Sequence, residues 1–196
     1  DPVKGKVAKE LFKNANKMLD DIIGKKLLQA NVAYGFWPAN SEKNEIILYK
    51  NEKRENELTR FNMLRQRKIR NGMALSLSDF IAPKDSKVAD YIGAFAVTAG
   101  INAGELAKKY EDNNDDYNSI MIKALADRLA EALAELMHQR VRKEWGFPDD
   151  GKITNDDLIK EKYRGIRPAF GYPACPNHEE KEKLFEILIK VLIFLI

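Results

Sequence analysis

The sequence predicts an α+β fold, a twisted and mostly antiparallel sheet packed by helices, one of them long and running over about residues 117–143. Three observations carry this. Stretches with helical apolar spacing follow one another irregularly with short strand-like runs, rather than in the steady βαβ order of a doubly wound sheet. Gly93, Gly100 and Gly104 do not make a G-x-G-x-x-G turn, and no P-loop occurs, so Rossmann-type nucleotide binding is disfavoured. A chain of 196 residues, 44% hydrophobic and 32% charged, is long enough to bury a sizeable core and ordinary in composition for a globular protein.

The elements follow in order. Residues 4–28 carry Val7, Leu11, Phe12, Ala15, Met18, Leu19 and Ile22 at helical spacing, which predicts an amphipathic helix with Gly24 near its end. Val32, Tyr34 and Phe36 alternate in a first strand over 31–37, and Ile46–Tyr49 forms a second; the turn-rich 38–44 between them predicts a hairpin with a polar loop. Leu58, Phe61 and Leu64, three apart, suggest a short basic helix over 57–69, followed by a loop at 78–83. The near-continuous apolar run Tyr91–Thr98 reads as a strand covered on both faces. A short helix is expected at 103–111. Asn113–Asp116 caps the long helix, whose stripe is Met121, Leu125, Leu129, Leu133 and Met137. Thr154–Asp157 caps a short helix to Tyr163, and a last helix starts near His178 and runs into LIKVLIFLI at 188–196, too short an apolar run to span a bilayer as a helix.

Charge and cysteine content narrow the function. The 33 basic and 30 acidic residues are interspersed and leave a net +3, without the basic face of a dedicated nucleic-acid binder. A mildly basic surface suits an acidic protein partner. The single cysteine, Cys175, excludes an internal disulfide framework and fits a reducing cytoplasm. No basic segment followed by an apolar stretch opens the sequence as a signal peptide does. Glu135 and His138 stand at the i, i+3 spacing of di-iron bundles, but such sites need two of these motifs and only one other histidine, His178, exists. Cys175 and His178, three apart, are too few for a structural zinc site. Two histidines leave little room for a nucleophilic triad.

The informative stretch is Arg167-Pro-Ala-Phe-Gly-Tyr-Pro-Ala-Cys-Pro176. With Gly165 and Ile166 it holds three prolines and two glycines in twelve residues, so it is neither helix nor strand. It is stiff, and its unused backbone groups remain free to bind. Gly171 permits a sharp turn or a close backbone approach, Arg167 presents a fork suited to a carboxylate, and Tyr172 offers a ring and a hydroxyl. These features fit a preorganised small-molecule loop or a rigid structural crossover equally well. Glu131, off the apolar stripe of the long helix, and Glu161, six residues before Arg167, are carboxylates that a cationic ligand would favour; each taken alone also reads as a solvated helix glutamate.

Four stretches in this order, 89–98 (ADYIGAFAVT), 115–118 (DDYN), 123–132 (KALADRLAEA) and 165–176 (GIRPAFGYPACP), together with 11–16 and 36–40, resemble the activation domain of cobalamin-dependent methionine synthase over nearly the whole chain. The resemblance implies one activation domain, 1–196, that binds S-adenosylmethionine and presents its methyl group for the reductive reactivation of cobalamin oxidised from cob(I)alamin to cob(II)alamin. It implies cobalamin bound mainly by a separate domain, zinc only in other domains of the full enzyme, and as partners the cobalamin-binding domain and a flavodoxin or flavoprotein reductase, with no nucleic acid and no membrane. By motif matching, Arg167, Ala169, Gly171 and Tyr172 fall on the nucleotide-binding loop, and Glu131 and Glu161 on carboxylates near the ligand; no catalytic side chain is expected, and the isolated domain is expected to show no turnover by itself. Two departures stand out: Phe170 replaces a proline usual in the family, and the family's N-terminal segment with a ligand-binding aspartate and its C-terminal Ser-Gly-x-Tyr-Phe-like segment have no counterpart here. A stand-alone reactivation protein, or a scaffold of the same fold with weak or no ligand binding, remains an alternative.

Overall fold

The computed structural model describes residues 2–69, 72–149, 151, 153–190 and 193–195. The elements in chain order are α1 (Pro2–Lys25), β1 (Gln29–Glu42), β2 (Glu45–Tyr49), β3 (Glu57–Asn62), β4 (Asp90–Ile101), α2 (Ala103–Asp112), α3 (Asp116–Glu144), α4 (Asn155–Ile159), α5 (Glu180–Leu188) and β5 (Ile193–Leu195), with two short 3-10 turns at Leu77–Phe80 and Lys84–Ser86. The sheet order is β3-β2-β1-β4, and β5 pairs with β1. The pairs β1–β2 and β2–β3 are antiparallel. The α+β class is therefore as the sequence predicts.

The chain forms two compact units, and the division falls inside β1, β4 and α3, after Val32, Ala96 and Arg140. The first unit holds α1, α2 and most of α3. Its core joins Met18 and Ile22 of α1, Ala107 of α2, and Met121 and Ile122 of α3. Only the last turns of α1 enter this core. Val7, Leu11 and Phe12, expected on the buried face, are exposed, Phe12 at 72%. Within α3 the expected stripe holds at Met121, Leu133 and Met137, which are buried, while Leu125 and Leu129 are half-buried.

The second unit contains β2, β3, the long loops and α5. Its core is Ala39, Ile46, Leu48, Phe61, Met63, Cys175 and Ile187, with Trp37, Phe170 and Leu184 packed against it. β2 is buried on both faces, with Ile46 and Ile47 at 0% and Tyr49 at 3% exposure. A strand so enclosed needs a partner on each edge. β1 supplies one, with Ala39 opposite Leu48. β3 supplies the other, with Phe61 opposite Ile46 and Thr59 opposite Leu48. This corrects the helix expected over 57–69: the three-residue spacing of Leu58, Phe61 and Leu64 is overridden by sheet pairing, which sends Phe61 inward and leaves Leu64 46% exposed.

Four smaller expectations also change. β1 continues through the turn-rich 38–42, and the hairpin turns on Lys43 and Asn44 alone, with Lys43 at φ +56°. Pro38 is accommodated because pairing with β2 begins one residue later, at Ala39. β4 is a strand, but its residues from Asp90 to Val97 are half-buried rather than covered on both faces. Without a side chain, Gly93 leaves room for the Phe36 and Trp145 rings, which lie 4.9 Å apart. α4, capped by Thr154 as expected, stops at Ile159 rather than Tyr163, and Glu161 turns the chain with φ +53°. The last helix likewise ends at Leu188, and of the apolar run beyond it Ile193–Leu195 is strand; Val191, Leu192 and Ile196 lie outside the described residues. No helix among the described residues is long and apolar enough to cross a membrane.

Between α3 and the proline-glycine loop, the chain is tied down by Arg142. Its Nη2 donates to both carboxylate oxygens of Asp149 at 2.8 Å, with side-chain exposures of 7% and 10%. The guanidinium also lies 4.4 Å over the Tyr163 ring. Asp149→Ala takes this carboxylate from the buried guanidinium while the Tyr163 ring stays in place. It is expected to lower the unfolding free energy by about 1–3 kcal/mol, measured by urea denaturation; a loss well below about 1 kcal/mol, the value of a solvated pair, would contradict this burial.

Candidate functional site

The segment Arg167–Pro176 folds as two successive turns. The Tyr172 amide donates to the Ala169 carbonyl at 3.0 Å, and the Cys175 amide donates to the Tyr172 carbonyl at 2.9 Å. Gly171, at the third position of the first turn, has φ +102°, as a type II turn requires. Pro173 occupies the second position of the next turn, where its fixed φ fits. The Gly171 amide donates back to the Cys175 carbonyl at 2.9 Å and closes the pair, while the Leu77 amide, donating to the Ala174 carbonyl at 2.9 Å, ties the loop to the 3-10 turn at Leu77–Phe80.

Side chains of this loop divide by direction. Phe170 packs inward, its ring 5.9 Å from that of Phe61. Cys175 is 2% exposed within the same core, and its thiol donates to the Ala169 carbonyl at 3.1 Å. Burial pushes the Cys175 thiol up from its ordinary value, so it stays protonated and serves as a donor. Tyr172 is 62% exposed, Ala169 and Gly171 are exposed, and Arg167 is half-buried. None of the four backbone bonds uses the amides of Ala169 and Phe170 or the carbonyls of Phe170 and Gly171.

The structure thus brings Arg167, Ala169, Gly171 and Tyr172 together in one loop. Glu161 lies in the same unit, exposed on the turn that ends α4. Glu131 belongs to the other unit, exposed on α3 with its carboxylate 3.7 Å from Arg128. Two features of the loop's surroundings were not anticipated from the sequence. The first is a cleft of about 500 Å³ between Leu64–Lys68 and Pro173, Pro176 and Asn177. Its one advance signal was the basic run Arg65-Gln-Arg-Lys68, and Arg65 is anchored by both oxygens of Asp79 at 2.6 Å, a bond that holds the Asp79 carboxyl below the usual carboxylate range. The second is His178. A Cβ added at Gly171 would overlap its imidazole, so the ring occupies the place a side chain at that position would take. Among the described residues no group of three or more His, Cys, Asp or Glu side chains is placed to hold a metal ion.

These features define a class: an α+β module without a Rossmann fingerprint, whose distinctive chemistry lies in a rigid proline-glycine loop with outward-facing backbone groups. The model for the vitamin B12 dependent methionine synthase activation domain matches residues 1–191. A crystal structure described as the MetH reactivation domain bound to AdoHcy is similar to this chain at 49% sequence identity and a TM-score of 0.90, over 96% of this chain. This chain spans 59% of the length of that one. The chain belongs to the family of vitamin B12 dependent methionine synthase activation domains.

The Gly171 geometry is directly testable. Gly171→Ala is expected to lower the unfolding free energy by about 1–3 kcal/mol, from backbone strain and from the clash with His178. His178→Ala removes the ring but not the strain, so part of the loss is recovered in the double variant. Denaturation of all four proteins measures this, and full additivity of the two changes would contradict the contact.

Proposed function

We propose that this chain binds S-adenosylmethionine through the Arg167–Tyr172 loop and holds its sulfonium methyl for transfer to a corrinoid. The observation that carries the reading is the likeness, at 49% identity, to a reactivation domain bound to AdoHcy, the demethylated form of that ligand. The loop's chemistry fits. The backbone groups left unused at 169–171 suit the hydrogen-bonding edge of an adenine, and the Tyr172 ring offers an apolar surface beside them. Arg167 provides a fork for the ligand's carboxylate. Glu161 and Glu131 are proposed as carboxylates for its ammonium and sulfonium charges, each to be tested by its own glutamine variant.

The corrinoid, held mainly by a separate domain, supplies the methyl acceptor in this scheme. No side chain of this chain needs to act as a nucleophile. Its task is orientation: a methyl group fixed in line with its acceptor gains the advantage of an intramolecular reaction. In the same reading residues 1–196 act as one activation domain, a cobalamin-binding domain and a flavodoxin or flavoprotein reductase are its partners, and the chain by itself has no turnover. Reductive methylation needs one electron from that flavoprotein.

A scaffold that keeps the fold without the ligand is the second reading, and Phe170 in place of the usual proline is the observation that favours it. The Phe170 side chain points into the core against Phe61, away from the outward groups of the loop, while its backbone adds an N–H that a proline lacks. Calorimetry separates the two readings. Saturable binding of S-adenosylmethionine is expected, weakened about tenfold or more by Arg167→Ala, equivalent to about 1.4 kcal/mol. Absence of binding by the folded chain, for both S-adenosylmethionine and its demethylated form, would sink the proposal.

A further inference from the structure

A second cavity in the same unit has no part in that reading. It is an open hollow of about 340 Å³, and its floor is the face of the sheet opposite the Ile46–Leu48–Phe61 core. Asn40 and Tyr49, 4% and 3% exposed, form that floor. Arg54, Lys84 and Lys87 line it, with the exposed Val88 at its rim.

The walls are fixed. Both donors of the Asn40 amide are used to hold the chain overhead, at the carbonyls of Ala82 (3.1 Å) and Val88 (2.9 Å). Ser41 adds two more ties, its amide to Ala82 and its hydroxyl to the Ile81 carbonyl. Arg54 is held by the Asp90 carbonyl at 2.8 Å and lies 5.2 Å from the centre of the Tyr91 ring.

Against this rigid frame, one buried donor is left over. Arg54 Nε is buried and has no hydrogen-bond partner among the described residues. Tyr49, almost wholly buried as a residue, reaches the same space from the sheet. Unmatched buried polar atoms are rare, and each calls for a ligand or a water.

Charge points the same way. The lining carries three cationic side chains and no acidic one. The neighbouring carboxylates are engaged elsewhere or only loosely. Glu42 and Glu57 bind Arg60 at 2.8 and 2.7 Å and reach Lys84 only at 3.9 and 4.0 Å. Glu52 Oε2 lies 3.7 Å from Arg54 and accepts from the Tyr91 hydroxyl at 2.7 Å. Lys87, in the left-handed region at φ +57°, is exposed and has no ion partner among the described residues.

The geometry points to a phosphate-binding site formed by Tyr49, Arg54, Lys84 and Lys87. Donors converge from the sheet below and from the loop at the side, and three positive charges suit a tetrahedral dianion better than a single planar carboxylate. The volume leaves room for an organic group beyond the phosphate, against Val88. The inference stands independently of the ligand proposed for the Arg167–Tyr172 loop.

An NMR titration of the isotopically labelled chain tests it, with inorganic phosphate in one arm, ribose 5-phosphate in the other, and chloride at matched ionic strength as control. Saturable shifts are expected at the Lys87, Val88 and Ala89 amides in at least one phosphate arm. Lys87→Gln and Tyr49→Phe should each weaken binding about fivefold, the scale of one screened charge or hydrogen bond. Tighter binding of ribose 5-phosphate identifies an organic phosphate as the ligand class, and equal binding identifies the free ion. Shifts that stay linear and follow chloride, or saturation unchanged in both variants, overturn the assignment.

Discussion

Much of the second unit depends on one constraint: β2, five residues long, is buried on both faces. Ile46, Ile47 and Leu48 are each at most 1% exposed, and complete burial of such side chains contributes about 1.5–3 kcal/mol apiece. Alternate side chains of a strand face opposite ways. Ile46 and Leu48 therefore build the core that receives Cys175 and Phe170, while Ile47 and Tyr49 face the side on which the cationic cavity opens. Both candidate binding features are positioned by the same short strand, one from each face.

The proline-glycine loop owes its rigidity to that arrangement as much as to its composition. Prolines restrict the backbone, but the loop is fixed in place by a buried thiol, a half-buried ring packed on the core and the bond from Leu77 to Ala174. Inward side chains supply stability and outward groups remain for a ligand. A loop ordered before binding loses less conformational entropy when it binds. Gly171 belongs to both tasks, since its left-handed backbone makes the turn and its missing side chain leaves space for His178.

The fold was legible wherever local pattern and tertiary packing agree. The spacing of Met18 and Ile22, the alanine-rich stretch of α3, the run Ile46–Tyr49 and the Thr154 cap all pointed to the elements that form. Misreadings arose where long-range pairing overrides local pattern. Phe61 looks helical beside Leu58 and Leu64, and only the need of β2 for a second partner makes it a strand residue. Residues 38–42 look like a loop until pairing with β2 extends β1 through them. Within the candidate site, composition announced a rigid, non-regular segment. It could not announce the cleft beside Leu64–Lys68 or the ring of His178, because both depend on residues far apart in sequence or on the detailed path of the turns. The identity of a ligand came from resemblance, because stiffness and free backbone groups describe many loops.

Where the ligand sits is decided by a crystal structure of this chain grown with S-adenosylmethionine. Ligand density is expected against the backbone of Ala169–Gly171, with the Arg167 guanidinium on the ligand's carboxylate. Ligand density confined to another part of the chain, with Arg167–Tyr172 ordered and bare, would contradict it.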